Sequence, residues 1–166
     1  MDESDDDRYA RAPDPADVVR ICRALNEAGA RYILIGGFAV IARGGARTTK
    51  DIDFLVDASP DNMARVKQGL RILEDRAVDE VADSDVERYM VVRVADEVVV
   101  DLMARACGID FDEASLDAGS ITIDGVAIPV ASVQTLIRTK QTIRPSDAAD
   151  RMFLEALLRA SDDKDR

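Results

Sequence analysis

Residues 32–57 read YILIGGFAVIARGGARTTKDIDFLVD. An apolar run ends in Gly36-Gly37, and after thirteen further residues Asp51 and Asp53 stand inside a second apolar run. Carboxylates are costly to bury unless something positive meets them. In a strand, side chains alternate between faces, so DIDFLVD turns Asp51 and Asp53 to one side and Ile52 and Phe54 to the other. Two such carboxylates, with Cα atoms about 6.5–7 Å apart, either face water or converge on a cation. Glycine complements the second option. Without a Cβ at Gly36 and Gly37, backbone N–H groups can approach a phosphate at the opening of the helix that FAVIAR predicts.

Working outward from this stretch, Asp14-Pro15-Ala16-Asp17 reads as a helix start, and Val18, Ile21, Cys22 and Leu25 recur on one helical face up to a stop at Gly29. RYILI is a short strand apolar enough for burial on both faces, and GGARTTK is a loop. Ser59-Pro60-Asp61 opens another helix with Met63, Val66, Leu70 and Leu73 along its stripe. Residues 75–87 fit neither helix nor strand clearly. RYMVVRV and VVVDLMA, joined by ADE, predict a hairpin that carries Asp101 late in its second arm. After an irregular stretch at 107–119, SITIDGVAIPV predicts a second hairpin turning at Asp124-Gly125. The rest is helical: SVQTLIRTKQTI, a break at Pro145, then SDAADRMFLEALLRA.

Composition narrows the chemistry. The 166 residues suit one domain, and 47% hydrophobic residues can fill a core. No apolar run approaches the ~20 residues of a membrane span, and the acidic N-terminus is unlike a secretory signal. Cys22 and Cys107 form neither a metal spacing nor a disulfide framework, so a cytoplasmic location is expected. Histidine is absent, which removes Ser-His-Asp and Cys-His pairs and the His-based zinc sites. Carboxylates with a hard metal remain. Of the net charge of −11, Met1–Asp7 carries −5 and residues 161–166 carry −1, leaving −5 for the body. That is a poor match for non-specific nucleic-acid binding. The expected organisation is a disordered acidic tail (1–13), a single domain of mixed α/β (α+β) type (14–160) and a charged tail (161–166).

Asp101, in VVVDLM, is a third charge inside an apolar strand. Beside DIDF it would complete a cluster that repels itself unless a cation is present. Such a site takes Mg²⁺, whose remaining octahedral positions go to water and phosphate oxygens.

The sequence of Gly-Gly, short helix, GARTTKDIDFLVD and later strand acid resembles the DNA polymerase β-type nucleotidyltransferase superfamily. The run Arg47, Thr49, Lys50, Asp51, Asp53 is similar to the minimal and AbiEii-type toxin nucleotidyltransferases in particular, as are SVQTLIRTK and RPSDAAD more weakly. The core resemblance covers about residues 30–103. It implies a nucleotidyltransferase fold: a mixed sheet with flanking helices and a helical C-terminal subregion. It also implies that Asp51, Asp53 and Asp101 bind two Mg²⁺ ions (or Mn²⁺) and that Asp101 helps deprotonate the acceptor. Gly36, Gly37, Arg47, Thr49, Lys50 and Lys140 would contact the nucleoside triphosphate. Many relatives carry serine where Gly37 stands, so that hydroxyl contact is lost here or moves to Thr48 or Thr49.

The acceptor stays open between RNA (a tRNA end, as for a toxin held by an antitoxin partner), a small molecule and a protein hydroxyl. The acidic body favours the last two. A non-catalytic binding domain that keeps the fold is the alternative, and three intact acids weigh against it. Asp147 and Asp150, with Arg144, read as first-turn residues that favour the helix dipole.

Overall fold

The computed structural model describes residues 10–164. The helix expected at Asp14 is α1 (Pro15–Glu27). Asp14 accepts from the Asp17 backbone N–H at 3.1 Å, and Asp17 accepts in return from the Asp14 N–H at 2.8 Å, a reciprocal cap. Arg11 pairs with both Asp17 oxygens at 2.6 Å, and this holds the Asp17 carboxyl down at about 2. The apolar face of α1, including Val18, Ile21, Cys22 and Leu25, is buried.

β1 (Tyr32–Ile35) is buried along its whole length and runs directly into α2 (Gly36–Ala42). β2 (Asp51–Val56) follows the loop, with Ile52 and Phe54 fully buried. Tyr32 packs edge-on against Phe54, ring centroids 5.3 Å apart, so the two strands share one core face. Ser59 caps α3 (Pro60–Leu70). Leu73, expected on that stripe, lies beyond the helix but is still buried. The unclear stretch resolves into a 3₁₀ turn (Ala77–Glu80) and the short α4 (Asp85–Arg88).

β3 (Val92–Ala95) and β4 (Val99–Met103) form the first hairpin, as expected. The buried Asp96 carboxylate at its turn accepts backbone N–H bonds from Asp75, Ala77 and Glu97 at 2.7–2.9 Å, which ties the preceding segment to the turn. The irregular stretch contains a small two-stranded ladder, β5 (Arg105–Ala106) and β6 (Ile109–Asp110), and α5 (Phe111–Ser115). The second hairpin is β7 (Gly119–Ile123) and β8 (Val126–Val130), with Asp124 and Gly125 both at positive φ as a type I′ turn requires.

The six-stranded sheet has the order β3-β4-β2-β1-β8-β7. β2 runs antiparallel to β1 and parallel to β4, and β1 runs parallel to β8. The mixed α/β fold class is as expected, with seven helices among the described residues.

The C-terminal side departs from expectation in the length of its helices. The helix expected over SVQTLIRTKQTI is shorter: α6 (Val133–Thr139) stops before Lys140, where the chain turns toward Pro145 and the Lys140 and Thr142 carbonyls accept from Arg151. The break expected at Pro145 is present, and Pro145 itself is the first residue of α7 (Pro145–Lys164), where its fixed φ and missing N–H are tolerated. α7 also takes in Ser161–Lys164, so most of the charged tail expected there is helical. The acidic tail expected at the N-terminus lies, up to residue 9, outside the described residues.

Candidate functional site

The pairing of β2 with β4 decides the site. Its register sets Asp53 level with Asp101 and Asp51 level with Val99. The three carboxylates of Asp51, Asp53 and Asp101 each bring one oxygen to within 4.8 Å of the others. On the other side of β2, Asp53 is level with Ile35, the residue before Gly36.

Gly36 is fixed twice over. Its φ of +72° lies in the left-handed region, and a Cβ there would come 2.0 Å from Asp53 Oδ2. At Gly37 a Cβ would meet Thr49 Cβ and Oγ1 at 2.8 Å. The room left by these missing side chains is therefore taken by Asp53 and by Thr49, whose hydroxyl donates to the Asp51 carbonyl at 3.1 Å.

Like charge and burial both act on the acids. Burial, then Asp51 and Asp101, push the Asp53 carboxyl up to about 8, against the pull of Lys140. Asp51 is raised by burial and by Asp101, with Arg93 opposing. Arg93 of β3 faces Asp101 across the hairpin: its Nε donates to Asp101 Oδ1 at 2.9 Å and its Nη2 to Oδ2 at 3.0 Å, with Asp51 Oδ2 at 3.2 Å.

A cavity of about 420 Å³ opens over the acids. Asp51, Asp53, Asp101, Gly36, Lys140, Arg93 and Arg144 all line it, with Val91, Met103 and Ala106 as an apolar wall. The ammonium of Lys140 is buried, 3.4 Å from Asp147 Oδ1 and 3.1 Å from Asp150 Oδ2. Arg144 donates to Asp147 at 2.9 and 3.0 Å, and Thr142 also hydrogen-bonds that carboxylate. Burial pushes the Asp147 carboxyl upward, but Thr142, Lys140 and Arg144 together bring it below the usual range. Asp147 and Asp150 thus do more than face a helix dipole. They hold the cations at one wall of the cavity.

The other residues singled out in the sequence lie around this cavity, not in its lining. Arg47 pairs with Asp150, the carboxylate that also holds Lys140, and its Nε donates to the Thr48 carbonyl at 3.2 Å. Gly37 and Thr49 pack against each other behind Gly36. Exposed Lys50 borders a separate hollow of about 400 Å³, together with Arg11, Asp51 and Arg93. Arg93 escaped the sequence reading. The observed register pairs Ala95 with Val99, so the turn is 96–98, one residue past the ADE turn read from the sequence, and this shift sets Arg93 opposite Asp101; a turn at ADE would have set Val91 there.

Three carboxylates that offer one oxygen each at a single point, with Asp53 raised by burial and then by its two acidic neighbours, fit a hard divalent cation, whose charge would offset that repulsion. Residues 15–165 match the family model described as "Nucleotidyl transferase of unknown function (DUF2204)". The chain belongs to this family. No curated protein matches it. As a member of this nucleotidyl transferase family the chain would act on a nucleotide, and no helix among the described residues is long and apolar enough to cross a membrane.

Proposed function

We propose that this DUF2204 member is a Mg²⁺-dependent nucleotidyltransferase that moves a nucleoside monophosphate from a nucleoside triphosphate to an acceptor hydroxyl. The observation that carries this reading is the meeting of Asp51, Asp53 and Asp101 at one point on a cavity floor beside Gly36. Asp51, Asp53 and Asp101 would hold the cation, Mg²⁺ or Mn²⁺ in its place. When bound, it supplies positive charge at the transferring phosphoryl group and the leaving group.

The remaining work falls to the chain. Lys140 and Arg144, fixed by Asp147 and Asp150, line the wall where a triphosphate's negative charge needs partners. The Gly36 backbone borders the same space. Arg47 steadies that wall through Asp150, and Thr49 holds the start of β2 through the Asp51 carbonyl. The acceptor oxygen bonds to the α-phosphorus, its proton passes to Asp101, and the bond to the bridging oxygen breaks with release of pyrophosphate. Val91, Met103 and Ala106 give the cavity a wall suited to the base or to an apolar part of the acceptor.

The test is incubation of the full chain with each α-labelled nucleoside triphosphate and Mg²⁺, against total RNA, a small-hydroxyl panel and cell lysate. Label transferred to an acceptor by the wild type, and lost in Asp53→Asn, is the expected result. No transfer from any triphosphate to any of these, with no nucleotide binding at millimolar concentration, would remove the enzyme reading.

A further inference from the structure

Arg93 occupies an unusual place. β3 is an outer strand of the sheet, and the guanidinium lies across the mouth of the carboxylate cluster, bordering both the 420 Å³ cavity and the 400 Å³ hollow beside Lys50 and Arg11. Its side chain is 39% exposed, whereas that of Asp101 is 7% exposed. The contacts are unequal. Asp101 receives two bonds, at 2.9 and 3.0 Å, in the forked geometry that suits a carboxylate; Asp51 receives one, at 3.2 Å.

Carboxylates this close repel one another without positive charge between them. Arg93 supplies that charge to Asp51 and Asp101 in the absence of a metal. A divalent cation at the triad would compete for the same oxygens and repel the guanidinium. The bond to Asp51 is the longer and single one, and the exposed side of the edge strand gives the side chain somewhere to go.

We propose that Arg93 is the resident counter-ion of the acid triad, exchanged off Asp51 when a divalent cation binds while it keeps its fork on Asp101. Arg93 and Asp51 border both hollows, so the exchange would change the boundary that the two share. This inference rests on the triad being a cation site, and it assigns Arg93 a positioning role. A lysine at 93 would not reproduce it, because an ammonium is a point charge and cannot fork one carboxylate while bridging to another.

The experiment is calorimetric titration of Mg²⁺ into the full-length wild type, Arg93→Met and Arg93→Lys, with Tm of each in chelator and in saturating Mg²⁺. Arg93→Met should lower the metal-free Tm, bind Mg²⁺ at least about tenfold tighter, and gain more Tm from Mg²⁺ than the wild type. Arg93→Lys should fall between them. Should Arg93→Met fail to fold, Arg93→Lys carries the comparison, together with the Arg93 Nε–H resonance of the wild type, which should shift on Mg²⁺ addition. Mg²⁺ affinity unchanged or weaker in the variants, with equal Tm losses in both conditions, marks an ordinary ion pair and overturns the proposal while leaving the metal site standing. No Mg²⁺ binding by any of the proteins overturns both.

Discussion

A Cβ at Gly36 would sit 2.0 Å from Oδ2 of Asp53. The glycine and the acid are thus one fitted pair: the backbone bends through positive φ where β1 enters α2, and the carboxylate from the next strand fills the side of it that any other residue would occupy.

Gly36→Ala should therefore cost at least ~2 kcal/mol, from the left-handed φ and the collision together. Urea unfolding measures the loss, and Mg²⁺ affinity should fall with it because Asp53 must turn. A variant of wild-type stability with intact Mg²⁺ binding would contradict the fit.

Asp51→Asn, Asp53→Asn and Asp101→Asn should each reduce transfer by roughly 10³-fold, the scale of losing one electrostatic element at a reacting centre. Circular dichroism should be unchanged, since each amide is close in size to the acid it replaces. A variant within tenfold of wild-type turnover removes that acid from the chemistry.

The metal-free protein should lose stability as pH rises. The Asp53 carboxyl stands at about 8 in the fold, against about 3.9 for an unperturbed aspartate. A group raised in this way contributes fully below the lower value and loses its contribution as pH climbs through the upper one. Asp53→Asn should thus be more stable than wild type at pH 8 in chelator, with the gap narrowing toward pH 5, and saturating Mg²⁺ should flatten the wild-type curve. Tm–pH curves that run parallel for the two proteins would count against it.

Lys140→Met should separate binding from folding. Asp147 keeps Arg144 and Asp150 keeps Arg47 when the ammonium is gone, so the loss of stability should stay within about 2 kcal/mol. Nucleotide affinity should nevertheless drop about tenfold or more, from loss of a charge-assisted contact at the triphosphate wall. Titration calorimetry with a nucleoside triphosphate reads the effect; unchanged affinity would place the triphosphate elsewhere.

Much of this site was legible because its parts are local in sequence. DIDFLVD alternates apolar and acidic residues, and a strand turns that alternation into one acidic edge and one core face. Asp101 could be joined to it only by supposing that its hairpin lies next to β2, and the parallel β2–β4 pairing meets that condition. What periodicity could not show was where ion pairs close over long distances. Arg47 turns to Asp150 on α7, a choice set by tertiary packing and not by its neighbours in the loop. Asp147 and Asp150 looked like helix-dipole acids because their spacing permits that, while their burial beside Lys140 depends on α6 ending early. β5, β6 and α5 were not foreseen, since two-residue strands leave no alternation to detect.

The side-by-side alignment of β2 and β4 has one more outcome. Two neighbouring strands that run the same way cannot be linked by a tight turn, so residues 57–98 form the crossover whose path brings position 101 level with position 53. A slip of one residue there would send the third acid to the opposite side of the sheet. Substitutions far from the cavity, such as at Asp96 where the chain is pinned before β4, should thus silence the protein without touching a single group in the pocket, and metal capture becomes a readout of whether that detour has closed in register.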